Sequence, residues 1–189
     1  MARFLLAPLA VSALVLAGCG SGHSQSSGPA PGTTSAAAGA GSTPRCSSSA
    51  LAVWLGLGEG GGTAGTIFYP LELTNISGRS CRLRGFPGVS AWSGHQLGSA
   101  ARRDHADPVQ TVMLPNGGSA HALVGFTDVG NFSPSSCRPK TAAALRVYPP
   151  GERTARLVPF SFEACSKTGP VFLSVRAVAP GVGIPGFAH

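Results

Sequence analysis

The ten residues TIFYPLELTN, at positions 66–75, decide the fold class of this chain. Every second position carries a large apolar side chain: Ile67, Tyr69, Leu71 and Leu73. Because neighbouring side chains of a β-strand point to opposite faces, this period of two is typical of a half-buried strand. The run Asn75-Ile76-Ser77-Gly78 that follows has the chemistry of a turn. The stretch therefore predicts one long strand that ends near Asn75.

The chain on either side repeats the pattern in shorter segments, separated by turn signals such as Pro115-Asn116-Gly117-Gly118. We expect these strands at 51–55, 89–92, 109–114, 119–126, 144–148, 156–162 and 171–178. Pro159 suits an edge strand, because proline has no amide hydrogen for pairing. The sequence shows no sustained 3.6-residue apolar period. Residues 46–179 are therefore predicted to form an all-β domain, an antiparallel immunoglobulin-like β-sandwich, with a small closed barrel as the alternative.

A glycine-rich run precedes the long strand. Gly56, Gly58 and Gly61 match the G-x-G-x-x-G pattern of dinucleotide-binding loops. That motif needs the N-terminus of a helix behind the loop to face the pyrophosphate, whereas a strand follows here. We therefore interpret the run as a hairpin loop.

The N-terminal segment resembles an export signal. Arg3 is followed by an apolar run that is short for a membrane-spanning helix. Leu16-Ala17-Gly18-Cys19 resembles a bacterial lipobox, which implies that residues 1–18 are a lipoprotein signal peptide and that Cys19 becomes the acylated N-terminus. We therefore expect a domain anchored by lipid to the extracytoplasmic face of the cell membrane, with the membrane as its first partner.

Two further segments flank the predicted domain. Residues 19–45 are rich in Gly, Ser, Ala, Thr and Pro, and they are predicted to form the lipidated N-terminus and a flexible linker. The 26 residues at 20–45 should span about 28 Å as a flexible chain. Residues 180–189, rich in Gly and Pro, are predicted to form a loose C-terminal tail.

The cysteine count fits an exported protein. With Cys19 assigned to the lipobox, an even set of four remains: Cys46, Cys81, Cys137 and Cys165. We expect two disulfides in an oxidising compartment rather than a zinc site, because no C-x-x-C pair is present. Four cysteines allow three pairings, between which the sequence does not choose. Pairing sequence neighbours is simplest, and it predicts Cys46–Cys81 and Cys137–Cys165.

The charge of the chain favours an anionic partner. The formal net charge is +7, and almost all of it comes from arginine. No dense polybasic run is present, and a nucleic acid is an unsuitable partner outside the membrane. We instead expect an anionic envelope polymer, or another envelope protein, to contact Arg79, Arg82 and Arg84. Alternation along 81–84 places Arg82 and Arg84 on one face of a strand, with Leu83 facing inward between them.

The domain resembles a known family. The resemblance rests on turn, strand-end and cysteine positions: Gly65-Thr66, Leu73-Thr74-Asn75, Ser77-Gly78, Cys81, Leu83, Gly85-Phe86-Pro87-Gly88-Val89, Pro115, Gly117-Gly118, Ala120, Cys137 and Cys165. This pattern resembles domain of unknown function 4232, a family of exported, often lipid-anchored actinobacterial proteins. The resemblance implies a fold and a location. It implies no catalytic residue, since the family has no assigned activity.

The search for catalytic chemistry favours a protein that is not an enzyme. Neither H-E-x-x-H nor S-x-x-K occurs, and Gly88-Val89-Ser90-Ala91-Trp92 lacks the last glycine of a nucleophile elbow. Three histidines and three aspartates could build a triad or a metal site: His95, His105, His121, Asp104, Asp107 and Asp128. We expect exposed histidines instead, with His121 on an outward strand face, and we predict no metal and no cofactor.

Two functional classes stay open. The first is a non-enzymatic binding or interaction domain, and the second is an envelope hydrolase whose site is assembled from loops. The aromatic residues could line a binding groove, although we expect them to pack in the core and at edges: Trp54, Phe68, Tyr69, Phe86 and Trp92. A compact Ser, His and Asp cluster would favour the hydrolase, whereas an exposed basic or aromatic face would favour the binding domain.

Overall fold

The structure is a computed structural model that describes residues 42–59 and 61–183. Almost all of the regular structure in this part of the chain is β-strand. The strands are β1 (Leu51–Leu55), β2 (Gly61–Thr63), β3 (Thr66–Asn75), β4 (Cys81–Arg84), β5 (Gly88–Trp92), β6 (Gln96–Leu97), β7 (Arg102–Arg103), β8 (Thr111–Leu114), β9 (Ser119–Thr127), β10 (Pro139–Tyr148), β11 (Arg156–Cys165), β12 (Leu173–Val175) and β13 (Ala179–Pro180). One α-helix is described, α1 (Pro134–Cys137), with 3-10 turns at Ser48–Ala50, Leu57–Glu59 and Val129–Asn131.

The strands form two main sheets and one strand pair. The first sheet has the order β1-β3-β9-β12-β7, and β2 and β13 pair onto β3 and β9. The second sheet has the order β11-β10-β5-β6, and β4 pairs separately with β8. All described pairings are antiparallel except β12 with β7 and a single bridge between Arg45 and Arg82. The all-β sandwich prediction is confirmed.

Strand β3, which carries the alternating stretch at 66–75, is an interior strand of the first sheet. β3 pairs with β1 along one side and with β9 along the other, in an unbroken register from Thr66–Thr127 to Thr74–Ser119. Leu71 and Leu73 are fully buried. The other sheet supplies the facing apolar side chains: Val89, Ala91, Leu145, Val147 and Val158. Leu71 and Leu73 of the alternating set thus fill the space between the sheets, whereas Ile67, at the beginning of the strand, is 48% exposed.

Two disulfides connect neighbouring segments in the predicted pairing. Cys46 bonds Cys81 with a Cα–Cα distance of 4.9 Å, and Cys137 bonds Cys165 at 4.5 Å. The first joins the segment before β1 to the start of β4. The second joins helix α1 to the end of β11. All four cysteines belong to the buried core.

The edge position of β11 is also as predicted. β11 ends the order of the second sheet, and Pro159 lies where its register with β10 shifts. A bulge at this point accommodates the missing amide hydrogen. The glycine-rich run leads through a 3-10 turn into β2, which pairs antiparallel with β3, so the hairpin interpretation of this run holds.

The prediction of a loose tail from residue 180 is wrong for residues 180–183. β13 pairs with β9, and Gly181 donates its amide hydrogen to the Ser119 carbonyl. The Gly183 amide donates to Glu72 Oε1 over 2.7 Å. Gly181 and Gly183 adopt positive φ angles of 84° and 77°, which lets the segment follow the sheet closely. The tail beyond 183 lies outside the described residues.

Three segment boundaries also differ from prediction. The last long strand, expected at 171–178, is reduced to β12, and the chain bends before β13. No strand is predicted between residues 92 and 109, where the structure has the short strands β6 and β7. Residues 43–45 were assigned to the linker, yet the Arg82 amide donates to the Pro44 carbonyl and the Arg82 Nε to the Thr43 carbonyl. The domain therefore includes the last residues of the predicted linker.

Candidate functional site

Four arginines meet beside the first disulfide, and we call them the basic face: Arg45, Arg79, Arg82 and Arg84. The Cys46–Cys81 bond brings the segment before β1 alongside β4. The Cys46 amide then donates to the Arg82 carbonyl over 3.0 Å, and the Arg82 amide donates to the Pro44 carbonyl over 2.9 Å. This backbone pairing places Arg45 next to Arg82, although 36 positions separate them in the sequence.

The basic face surrounds two adjoining clefts. Arg45, Arg82 and Arg84 line a cleft of about 370 Å³ together with the turn at Pro150 and Gly151. Arg45 also lines a second cleft of about 410 Å³. Arg79 and small polar side chains complete that second cleft: Ser47, Ser49, Ser77 and Ser80. Because Arg45 belongs to both clefts, the clefts adjoin and the four arginines line one continuous surface.

The positive charge of this surface is not neutralised by close ion pairs. The ion pairs within 4.0 Å in the described residues join Arg176 to Asp104 and Asp107. Glu152 follows Gly151 at the edge of the basic face, and its carboxylate accepts hydrogen bonds from the Ser48 amide and hydroxyl. The four arginines therefore keep their charge available to an anion, at a place where the domain joins the chain leading back to Cys19.

A buried asparagine holds the Arg79 loop in place. Asn75 is completely buried at the end of β3. Its Nδ2 donates to the carbonyls of Arg79, Leu114 and Pro115, over 2.7, 2.9 and 3.1 Å. Its Oδ1 accepts from the Ser77 amide and hydroxyl. This side chain ties the turn after β3 to the end of β8, so the residue that signals a turn in the sequence also orders one end of the basic face.

A second surface opens between the beginning of β3 and the edge strand β11, and we call it the aromatic cleft. It measures about 510 Å³. Four half-buried aromatic rings line it: Tyr69, Phe126, Phe160 and Phe162. Phe126 lies at the centre of this cluster, with ring centroids 5.7 Å from Tyr69, 5.4 Å from Phe160 and 5.1 Å from Phe162. These three contacts are edge-to-face, the arrangement that aromatic quadrupoles favour.

Polar groups lie on the rim of the aromatic cleft. Asp128 and Glu163 line it, and among the described residues no lysine or arginine does. The hydroxyls of Thr66 and Thr127 hydrogen bond each other over 3.0 Å on the same wall. Asp128 Oδ1 accepts from the Gly130 amide over 2.8 Å, which fixes the orientation of that carboxylate. The cleft is thus apolar at its base and acidic at its rim.

The predicted arginines lie as expected. Leu83 is 1% exposed and points into the core, while Arg82 and Arg84 share the opposite face of β4. Arg79 is exposed in the turn before the strand. Arg45 was missed because it lies in a stretch of linker composition. Its position directly before Cys46, together with the predicted disulfide to Cys81, is the signal that could have placed it.

The prediction of exposed histidines holds for His95 and His105 and is wrong for His121. His121 is 3% exposed. It faces away from the space between the sheets, as the alternation predicts, but the C-terminal segment covers that outer face. Ala179 pairs with His121, and His121 Nδ1 lies 3.2 Å from the Gly181 carbonyl oxygen. The folded tail is therefore what buries this ring.

The aromatic residues singled out in the sequence lie at separate places in the structure and do not line one groove. Trp54 is 47% exposed on the edge strand β1. Trp92 lies under the Arg146 guanidinium at 4.6 Å, and the Phe86 ring packs on His105 at 4.7 Å. Tyr69 lines the aromatic cleft, and its three partner rings were missed. They come from β9 and β11, and their sequence signal is only the apolar alternation of a strand.

Two further results concern the described residues alone. Within them, no cluster of three or more His, Cys, Asp and Glu side chains is arranged to hold a metal ion. The same part of the chain contains no helix of the length and apolar character needed to span a membrane. The predicted lipidation site, Cys19, and the predicted signal peptide 1–18 lie outside the described residues.

Comparison with known proteins gives one match. A family model described as "Domain of unknown function (DUF4232)" matches residues 46–179. No curated protein and no solved structure matches the chain. The matched segment spans well over half of the 189 residues and contains both disulfides, β3 and most of both surfaces. The chain belongs to the DUF4232 family of domains of unknown function.

Proposed function

We propose that this protein is a cell-envelope lipoprotein whose β-sandwich domain binds an anionic envelope polymer through the basic face. The observation that carries the proposal is the convergence of Arg45, Arg82 and Arg84 around one cleft without a close carboxylate partner. Guanidinium groups bind phosphate and carboxylate in a planar, two-pronged geometry, so a cleft lined by three of them suits a chain of repeated anions.

The position of the basic face supports this function. Arg45 and Arg82 lie where residues 43–45 join the domain, so a tether starting at Cys19 would reach the domain beside this surface. A linker of about 28 Å average span would hold the arginines near the anionic headgroups and wall polymers of the envelope. Tethering raises the local concentration of the partner, so each individual contact can be weak.

The proposal also states that the domain has no catalytic activity. It rests on the sequence, in which no nucleophile occurs in an activating motif, and on the arrangement of the histidines. His105 packs against Phe86 in an exposed loop, and His121 is enclosed beneath the C-terminal segment. Turnover of ester or glycan substrates that is lost on replacing one serine or histidine would overturn this part of the proposal.

The anchor is tested by replacing Cys19 with alanine. Acyl chains contribute about 0.8 kcal/mol per buried methylene, and a single chain gives only marginal binding, so two or three chains are needed for firm anchoring. We expect the wild-type chain to enter the detergent phase on membrane extraction. Cys19→Ala should be released or remain an uncut precursor. Recovery of mature Cys19→Ala in the detergent phase would show that the lipobox interpretation is wrong.

The binding function is tested by co-sedimentation of the chain without residues 1–19, which lacks the predicted signal peptide and anchor, with purified cell wall and with anionic vesicles. We expect Arg82→Ala/Arg84→Ala to weaken binding about tenfold or more, and binding of the wild type to fall as salt rises. Lys140→Ala/Lys167→Ala is the matched control, because it also removes two exposed positive charges but leaves the basic face intact. Equal binding by the two double variants would contradict the proposal.

A further inference from the structure

We propose that the aromatic cleft is a binding site for a small organic ammonium ion whose nitrogen carries apolar substituents, such as a quaternary ammonium group. The proposal does not depend on the basic face, which lies on other strands and has the opposite charge preference. It rests on three features of the aromatic cleft: its shape, its charge and the polar groups that the protein leaves without a partner.

The shape of the cleft fits a small ligand. A volume of about 510 Å³ lies within the range of small-molecule pockets, and the base is already formed by packed rings. The ring planes of Tyr69 and Phe160 meet at 70°, and those of Phe126 and Phe162 at 86°. When neighbouring rings are nearly perpendicular, a ligand between them can contact the π faces of more than one ring. This is the arrangement that recognises alkylated ammonium groups.

The charge of the cleft selects a cation. The chain has twice as many lysines and arginines as acidic residues, 14 against 7, yet the described residues that line this cleft include Asp128 and Glu163 and no lysine or arginine. An anionic ligand would be repelled by the two carboxylates. A cation would be attracted by both, and its apolar substituents would replace water over the aromatic base.

The protein leaves polar groups in the cleft available. Among the described residues, neither the Tyr69 hydroxyl nor the Glu163 carboxylate has a hydrogen-bond or ion-pair partner. Tyr69 lies half-buried at the base and Glu163 is exposed on the rim. A ligand with a cationic head and a hydroxyl or similar polar group could therefore be held at both ends.

The rim is held in place before any ligand binds. Gly65 has a φ of 80°, and its carbonyl accepts the amide hydrogen of Asp128 over 2.9 Å. This bond connects the β2–β3 turn to the segment after β9, on the wall that carries Asp128. Because the rings and this carboxylate are already positioned, binding does not have to order a loop.

The test is a titration of the full chain with choline, compared with its neutral isostere 3,3-dimethylbutan-1-ol, in a maltoside detergent that carries no cation. Amide NMR shifts at Gly65 and Thr127 report on the cleft. We expect choline to saturate the site with a Kd of about 1 mM or tighter, and the isostere to bind at least about tenfold more weakly. No shift with choline, or equal affinity for the two ligands, would overturn the proposal.

Two matched pairs of variants locate the site. Phe160→Leu keeps apolar volume but removes a π face, and it should weaken choline binding about tenfold, whereas Leu157→Ala, an exposed change on the same strand, should not. Glu163→Gln should weaken binding about threefold or more, while Asp107→Asn, which removes an acid outside the cleft, should leave it unchanged. Glu163 is exposed, so its replacement does not threaten folding. Wild-type affinity in both Phe160→Leu and Glu163→Gln would refute the assignment.

Discussion

In the part of the chain that the structure describes, the basic face presents four arginines with no carboxylate within salt-bridge distance, whereas the aromatic cleft presents four rings and two acidic residues and no lysine or arginine. Both lie on one domain, but they act over different ranges. Charges on an exposed face are felt over a Debye length of about 8 Å at physiological salt. Contacts with aromatic rings require a ligand inside the cleft. One surface is suited to an extended polymer, and the other to a small molecule.

The two surfaces are also held together differently. The basic face depends on the first disulfide and on Asn75, which are covalent and hydrogen-bonded constraints on loops. The aromatic cleft depends on ring packing between two sheets, and some of its polar groups make no bond to the described protein. We therefore expect that a mutation can damage one surface and leave the other intact. The predictions that follow test this separation, from the largest expected effect to the smallest.

The largest effect is expected from removing the first disulfide. Cys46→Ser/Cys81→Ser should destabilise the domain by about 3.5–4 kcal/mol from loop entropy, lowering Tm by about 10 °C. It should also weaken polymer binding, because Arg45 is no longer held beside Arg82.

The matched control is Cys137→Ser/Cys165→Ser, which removes the second disulfide. That disulfide closes a loop of similar length, 28 residues against 35 for the first. It should lower Tm by a similar amount while leaving polymer binding intact below the melting transition. Thermal melting and co-sedimentation give both readouts. Polymer binding that falls equally in both variants would contradict a specific role for the first disulfide in the basic face.

A smaller effect is expected at Asn75. Asn75→Ala would remove the side-chain donor of the buried Leu114 carbonyl bond and the acceptor of the Ser77 amide, and should cost about 3 kcal/mol. The exposed Asn116, which accepts one hydrogen bond from the Gly78 amide, is the control, and Asn116→Ala should cost about 0.5 kcal/mol or less. Urea denaturation measures both. A loss below about 1 kcal/mol for Asn75→Ala would mean that this network does not hold the Arg79 loop.

The smallest effect is expected at Tyr69. Tyr69→Phe removes a hydroxyl that has no hydrogen-bond partner among the described residues, so the free energy of unfolding should change by about 0.5 kcal/mol or less. The same urea denaturation applies. A loss above about 1 kcal/mol would show that the protein itself uses the hydroxyl, and it would weaken the argument that this group is available to a ligand.

The features that could be predicted from the sequence are those that depend on residues close together in the chain. Period-two alternation placed the strand Thr66–Asn75 and turned Leu83 inward, because both depend only on neighbouring residues. The aromatic cleft could not be predicted in this way. Tyr69, Phe126 and Phe160 come from three strands, and their meeting depends on sheet order and on the bulge near Pro159.

The wrong predictions for the tail and for His121 have a common physical cause. The tail was expected to be loose because Gly and Pro bury little apolar area, and His121 was expected to be exposed because it alternates with core residues. In the structure, residues 179–181 pair with β9 and cover His121. Backbone hydrogen bonds hold this segment, although its own side chains bury little apolar area. The alternation of a strand predicts which side chains point away from the core. It does not predict whether another segment of the chain covers them.

The most direct test of two independent surfaces is to measure polymer binding and choline binding in the same pair of variants. The chain without residues 1–19, which lacks the predicted anchor, is titrated with anionic vesicles and, separately, with choline, for Arg82→Ala/Arg84→Ala and for Phe160→Leu. We predict that the arginine variant loses vesicle binding about tenfold and keeps choline binding, and that Phe160→Leu does the reverse. Loss of both activities in either folded variant, or of neither in both, would contradict the account.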